Sequence, residues 1–142
     1  MAKLWSELIL LFVVIPFAVL YWIVDQQACV DAIWLVPLTE IFCGILKWHF
    51  KEPRPGWVDN AVIIRANSHE YSFPSSHAAI AVGLATFFTQ GHTADMDPYN
   101  HSLQYPKCLA FAVCLSRVYE GAHHIHDVIA GTCFGIAAGL GL

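Results

Sequence analysis

The stretch SRVYEGAHHIHD, residues 116–127, lies between two apolar runs, residues 107–115 and 128–142. It ends with His123 and Asp127 at a spacing of four, which puts both side chains on one face of a helical turn. Charged residues make up only 13% of the chain and hydrophobic residues 57%, whereas a soluble protein is charged at about a quarter of its positions. The composition therefore predicts that lipid covers much of the surface and that this charged stretch joins two membrane helices.

Five apolar runs are predicted to be helices: residues 8–24, 28–49, 78–88, 107–115 and 128–142. The first run, with its flanking residues, is long enough to span a bilayer, which takes about 20 residues. No small-residue cleavage site of a signal peptide follows it. Glu40 in the second run is expected to face the protein interior, because a carboxylate at membrane depth is unfavourable. The predicted fold class is an all-α, polytopic membrane helix bundle with about five transmembrane helices.

The length of 142 residues indicates one domain, 1–142, with two N-terminal helices in residues 1–50 and a motif region in residues 47–131. The net charge of −4 argues against a nucleic-acid partner, since binding to a phosphate backbone requires a basic face. The five cysteines form no C-x-x-C pair and are interpreted as small apolar residues. The last run ends at Leu142 without a polar flank, which predicts either a short last helix or a longer natural chain.

The order of the runs predicts where the polar segments lie. If each run crosses the membrane once, residues 51–73 lie on the same side as the N-terminus. The start of the third helix, at residues 75–77, and the turn at residues 117–127 then lie on that side as well. All charged motifs are thus expected to meet at one membrane face. Lysine and arginine counts lean this face weakly towards the cytoplasm, and the identity of the membrane is not predicted.

Three charged motifs occur in the order Lys47-x6-Arg54-Pro55, Pro74-Ser75-Ser76-His77 and Ser116-Arg117-x5-His123-x3-Asp127. Guanidinium groups bind phosphate through paired hydrogen bonds and lysine acts as a compact point charge, so the three cations suit a phosphate site. Ser75 precedes an apolar run and is predicted to cap a helix, whose first N–H groups attract an anion. The alternative for Lys47 and Arg54 is interfacial anchoring of basic side chains at helix ends.

The histidines suit phosphoryl transfer. A carboxylate bonded to one ring nitrogen of His123 would leave the other nitrogen free to attack phosphorus. His77 comes from a different segment and would protonate the leaving oxygen and later activate water. A metal site built from His123, His124 and His126 is the competing interpretation, and repulsion by the three nearby cations argues against it.

Taken together, the motifs resemble the signature of the type 2 phosphatidic acid phosphatase superfamily. That superfamily includes membrane lipid phosphatases, soluble bacterial acid phosphatases and vanadium haloperoxidases, and the resemblance covers about residues 47–131. It implies that His123 is the nucleophile, that Asp127 orients it, and that His77 is the general acid and then the general base. It also implies a reaction without metal or other cofactor. The implied phosphate ligands are Lys47, Arg54, Ser75, the backbone N–H of Ser76, and Arg117.

The chain departs from the family pattern in two respects. Ser76 stands where the family usually has glycine, and two predicted helices precede the first motif where membrane members commonly have three. A serine side chain at this position would crowd the backbone donor at the phosphate. The missing helix puts lateral access of a lipid to the site in doubt.

These features predict an integral, multi-pass membrane phosphatase. Its substrate would be a lipid phosphate monoester or a polyprenyl diphosphate, hydrolysed through a phosphohistidine. The alternative is a catalytically silent, phosphatase-fold subunit of a larger membrane complex. Gly131, Gly135 and Gly139 lie four apart along one helix face, which predicts a helix-packing seam and is the surface through which such a subunit would bind membrane-protein partners. The aromatic loop at residues 56–73 would either shape a headgroup or acyl pocket or anchor the chain at the interface.

Overall fold

The computed structural model describes residues 26–59, 61–63, 69–91 and 104–141. The regular secondary structure of these residues is entirely helical and comprises α1 Gln26–Phe50, α2 Pro55–Val58, α3 Ser76–Gly91, α4 Gln104–Tyr119 and α5 Ile125–Gly141. The all-α prediction is thus confirmed for the described part of the chain. Four of the five predicted helices correspond to α1, α3, α4 and α5. The predicted helix at residues 8–24 lies outside the described residues.

The described helices differ from the prediction in their relation to a membrane. None of them combines the length with the hydropathy that crossing a membrane requires. Helices α3, α4 and α5 contain 16, 16 and 17 residues, whereas a span takes about 20. The longer α1, with 25 residues, includes Asp31, Glu40 and Lys47. The prediction of about five transmembrane helices is therefore not confirmed in this part of the chain.

The chain divides into two compact units, Met1–Trp34 and Leu35–Leu142, with the division inside α1. All predicted site residues belong to the second unit. The organisation as a single domain, 1–142, stays a prediction.

A stripe of small residues on α5 lets it pack closely against α3. A Cβ atom on any of three α5 glycines would overlap a backbone carbonyl oxygen of Ser75, Ala79 or Gly83. The three glycines are Gly131, Gly135 and Gly139. This contact confirms that the stripe is a helix-packing seam, and the alternative that the stripe binds a membrane-protein partner finds no support in the described residues.

The ends of the long helices carry the charged motifs. Lys47 lies in the last turn of α1 and Arg117 in the last turn of α4, while Asp127 lies in the first turn of α5. The start of α3 is tied to this turn, because the Ser75 N–H donates to the Asp127 carbonyl oxygen at 3.1 Å. As the order of the apolar runs predicts, the helix ends that carry the three motifs meet.

Candidate active site

Most polar residues of the three motifs are buried, whereas the His77 side chain is exposed. Lys47 and Arg54 are each 6% exposed, Ser75 and Ser76 are buried, and Asp127 is completely inaccessible. A side chain that anchors a helix at a membrane interface extends its charged end into the headgroup region. Buried charges instead require partners. The burial of Lys47 and Arg54 therefore favours a binding site over interfacial anchoring.

Lys47 forms an ion pair with a residue that the motifs do not include. Its Nζ lies 2.7 Å from Glu70 Oε2. The hydrogen bond and the positive charge of Lys47 hold the pKa of Glu70 below its ordinary value, so this carboxylate is ionised at neutral pH. Lys47 is buried and the Glu70 side chain is mostly exposed. An anion that enters the site would thus compete with Glu70 for the lysine.

Arg54 links the first motif to two distant segments. Its Nε donates to the Glu70 carbonyl oxygen at 2.7 Å and its Nη1 to the Ala122 carbonyl oxygen at 2.8 Å. Burial lowers the pKa of Arg54, but a guanidinium remains a cation at neutral pH. The charges of Asp127 and Arg117 act on it as well, so the first and third motifs lie side by side.

The guanidinium group of Arg117, at the end of α4, bonds to side chains close to it in sequence. Its Nε donates to Ser116 Oγ at 3.2 Å, and its Nη2 lies 3.1 Å from Glu120 Oε1. The charges of Arg117, Lys47 and His123 all act on the imidazole of His77. The structure therefore brings the two predicted histidines and the predicted cations into one site.

Ser75 is the residue immediately before α3, but it does not cap the helix in the predicted way. Its Oγ is buried and has no hydrogen-bond partner among the described residues. The Ser75 carbonyl oxygen accepts from the Ala79 N–H at 3.1 Å, as expected at a helix start. Leaving a buried hydroxyl unpaired is unfavourable by about 1–3 kcal/mol. A phosphate oxygen beside Ser75 Oγ would satisfy it.

Asp127 and His123 are close, though not hydrogen bonded. His123 Nδ1 lies 3.6 Å from Asp127 Oδ2, a distance that allows electrostatic attraction but exceeds a hydrogen bond. Asp127 Oδ2 instead accepts from Ser72 Oγ and from the His124 N–H, the latter at 2.8 Å. A carboxylate on the third helical residue that accepts from the N-cap N–H forms half of a capping box. Asp127 therefore stabilises the start of α5 as well as facing His123.

The three-histidine metal site is not assembled. In the part of the chain that the structure describes, the potential ligand atoms that come within 4.8 Å of one another belong to Glu52, His126 and Asp127. His126 Nε2 lies 2.6 Å from Glu52 Oε1 and 3.2 Å from Asp127 Oδ1. His124 Nε2 lies 3.3 Å from the Pro53 carbonyl oxygen.

Four acidic or hydroxyl residues that contact the site are absent from the sequence prediction. They are Glu52, Glu70, Ser72 and Glu120. Glu120 could have been found, because it lies three residues after Arg117 on the chain, where helical side chains meet. The other three contact partners 23 to 74 positions away, and no sequence pattern signals such contacts.

Several known proteins are similar in sequence to this chain. A profile described as the PAP2 superfamily matches residues 28–142. The mouse protein named "Sphingosine-1-phosphate phosphatase 1" is 37% identical over 95 residues, which cover 65% of this chain and 21% of that protein. The mouse protein named "Sphingosine-1-phosphate phosphatase 2" is 29% identical, with 82% of this chain and 33% of that protein covered. The Arabidopsis thaliana protein named "Probable lipid phosphate phosphatase beta" is 27% identical, with 70% of this chain and 57% of that protein covered. The chain therefore spans less than two thirds of the length of each of these relatives.

Two solved structures are also similar. LpxE from Aquifex aeolicus has a TM-score of 0.78 at 27% identity, covering 91% of this chain and 74% of that one. The transmembrane PAP2-type phosphatidylglycerolphosphate phosphatase from Bacillus subtilis has a TM-score of 0.73 at 21% identity, covering 95% and 67%. The second likeness concerns the fold alone. Since the superfamily profile covers most of the sequence and the three motifs converge, this chain belongs to the PAP2 superfamily.

Proposed function

We propose that this protein is a membrane phosphatase that hydrolyses a lipid phosphate monoester or a polyprenyl diphosphate through a phosphohistidine. The observation that carries the proposal is the burial of Lys47, Arg54 and an unpartnered Ser75 hydroxyl in one site with two histidines. Such a site can neutralise and hydrogen-bond a phosphate. Membership of the PAP2 superfamily supports it, as do relatives named as a sphingosine-1-phosphate phosphatase and as a probable lipid phosphate phosphatase.

In the first step, a ring nitrogen of His123 attacks phosphorus in line with the leaving oxygen. The N–P bond forms as the P–O bond to the lipid breaks, and His77 transfers its proton to the departing oxygen. Asp127, 3.6 Å from His123 Nδ1, stabilises the positive charge that develops on the ring. Lys47 and the two arginines stabilise the charge on the equatorial oxygens.

In the second step, the now neutral His77 takes a proton from water. The water oxygen attacks phosphorus on the side where the lipid oxygen departed, and the N–P bond to His123 breaks. Inorganic phosphate leaves, and both histidines return to their initial protonation states. Each step is a displacement at phosphorus, so the same fixed cations serve both.

We further propose that the protein is integral to a membrane. Many large apolar side chains are exposed on the described helices, among them Leu38, Ile41 and Ile45 on α1 and Leu109 and Phe111 on α4. Water rarely contacts contiguous apolar surface of this extent in a soluble monomer. Contact with lipid acyl chains would cover these side chains.

The test is phosphate release by the detergent-purified protein in EDTA. The panel contains phosphatidic acid, phosphatidylglycerol phosphate, a sphingoid-base phosphate and a polyprenyl diphosphate, with His123→Ala as the matched control. Release from at least one substrate that disappears in the variant is expected. Silence across the panel from folded protein would contradict the proposal and favour the silent-subunit alternative. Activity that EDTA removes and a divalent cation restores would instead assign a role to Glu52, His126 and Asp127.

Asp127→Asn is expected to slow phosphate release by about 10²–10⁴-fold while the protein stays folded. The amide oxygen can still accept from the His124 N–H, so the start of α5 persists, but the negative charge that faces His123 is lost. Initial rates and the melting temperature measured on the same preparation separate the two effects. Wild-type rates in Asp127→Asn would show that the charge on Asp127 does not act on the nucleophile.

A further inference from the structure

A cavity of about 510 Å³ lies beside the phosphate-binding lysine, and the reaction as proposed does not use it. Glu40, Gly44, Lys47 and Trp48 line it from α1, and their spacing places them along one helix face. Gly44 contributes no side chain between Glu40 and Trp48. A Cβ added to Gly44 would meet nothing within 4 Å, so the part of the cavity next to Gly44 is open.

Two carboxylates face this cavity. Glu70 is the ion-pair partner of Lys47. Glu40 lies seven residues before Lys47, or about 10 Å along the helix axis at the usual rise per residue. A carboxylate within an apolar helix that contacts a membrane is unfavourable unless a cation or a polar cavity compensates it. Glu40 therefore gives the end of the cavity farther from the ends of the motif-bearing helices a negative charge.

Aromatic rings form one wall of the same cavity. Tyr71 packs edge-to-face against both tryptophans, with ring centroids 5.9 Å from Trp48 and 6.3 Å from Trp57. Trp48 is nevertheless 71% exposed, so much of its indole remains accessible. The faces of tryptophan and tyrosine rings attract cations, most strongly where water is excluded. Carboxylates and aromatic faces together are the chemistry that binds an ammonium group.

We propose that this cavity binds an ammonium group carried by the substrate, so that the enzyme prefers lipid phosphate monoesters with a protonated amine a few bonds from the phosphate. This inference rests on the proposed phosphatase function and names the substrate class of the same site. It also selects between the two sequence interpretations of the aromatic loop. Trp57 and Tyr71 line a headgroup pocket rather than serving only as interfacial anchors.

The negative charges of Glu70 and Glu40 explain the preference for a substrate that carries an amine. A phosphate monoester that binds Lys47 takes the place of the Glu70 carboxylate, which lies 2.7 Å from the lysine nitrogen in this structure. The displaced carboxylate then loses its nearest cation, while the charges of Arg54 and His77 still act on it. A substrate ammonium next to the phosphate would replace the lost partner, and Glu40 attracts this ammonium from the opposite end of the cavity.

The experiment compares two substrates that differ only at nitrogen, sphinganine 1-phosphate and its N-acetyl derivative, which is uncharged at nitrogen. We expect the wild-type kcat/KM to be about tenfold higher for the free amine, corresponding to about 1.4 kcal/mol. Glu40→Gln should reduce this ratio severalfold. Because the charge of Glu40 also acts on His77, the readout is the ratio between the two substrates rather than the rate with either one. Asp31→Asn, a carboxylate change on the same helix but outside the cavity, should keep the wild-type ratio.

Trp48→Leu gives a second, independent measure of the ratio, and it is decisive if the Glu40 variant does not fold. Equal kcat/KM for the two substrates in an active wild-type enzyme would overturn the inference and leave the proposed phosphatase function intact. An unchanged ratio in both cavity variants would overturn it as well. Absence of release from both sphinganine substrates, by an enzyme that hydrolyses another lipid phosphate of the panel, would overturn this inference alone. Silence across the whole panel would overturn the proposed function, and this inference with it.

Discussion

His123→Ala is expected to lower phosphate release by about 10⁴-fold or more while the protein remains folded, since hydrolases that lose a covalent nucleophile lose most of their rate. The reason is that the residues that bind the phosphate are distinct from the residue that attacks it. The alanine variant keeps Lys47, Arg54 and Ser75, which bind the phosphate, but has no nitrogen that can form the N–P bond. His123 Nδ1 has no hydrogen-bond partner among the described residues, so its removal leaves no buried group newly unpaired.

The matched control for this prediction is His49→Ala, which removes an exposed histidine near the end of α1. It should retain the wild-type rate. Acid-labile, base-stable labelling of the enzyme by a phosphate-labelled lipid should appear in wild-type protein and be absent in His123→Ala. A variant that still releases phosphate at the wild-type rate would remove His123 from the mechanism. Labelling that persists in the variant would assign the phosphoenzyme to another residue.

Gly135→Ala is expected to reduce the free energy of unfolding by about 1–3 kcal/mol, the usual range for overpacking a tightly packed interface. The added methyl group would overlap the Ala79 carbonyl oxygen and lie 3.0 Å from the Gly83 nitrogen. Both atoms belong to the α3 backbone, which cannot rotate away as a side chain would. The two helices must therefore separate, and the start of α3 beside the site moves with them.

The measurement is the melting temperature of the detergent-purified protein, which should fall by roughly 3–10 °C. Gly44→Ala is the matched control, because a Cβ on Gly44 meets nothing within 4 Å. That change should leave stability unchanged or raise it by up to about 1 kcal/mol, since alanine is the better helix former. Equal melting temperatures for the two variants would show that α3 and α5 do not pack closely along the glycine stripe.

Much of the helical architecture follows from apolar runs. The predicted helices at residues 28–49, 78–88, 107–115 and 128–142 all exist, and their ends are the main difference. The predicted run at residues 107–115 extends to Gln104–Tyr119, across Lys107 and Arg117. A helix continues through polar residues when their side chains are solvated or hydrogen bonded, because its backbone hydrogen bonds do not depend on side-chain polarity. Hydropathy alone therefore does not predict where such a helix ends.

The site could be predicted as far as local spacing reaches. The spacing of four residues predicts that His123 and Asp127 share a helix face, and their nearest polar atoms lie 3.6 Å apart. The second role of Asp127, accepting from Ser72 and His124, was not predicted. It depends on a loop that reaches the start of α5 from 55 positions earlier in the chain.

Hydropathy, helical spacing and motif order are local properties of the chain, so the amino-acid sequence is sufficient to predict the helical class, the superfamily and the group of residues that meet at the helix ends. The three-dimensional packing was needed to show which surface the glycine stripe covers and which carboxylate pairs with Lys47. It also decided that an acidic, aromatic cavity lies beside the phosphate site. These features arise where segments distant in sequence pack together, and the packing energy of such contacts is distributed over residues that no short pattern contains.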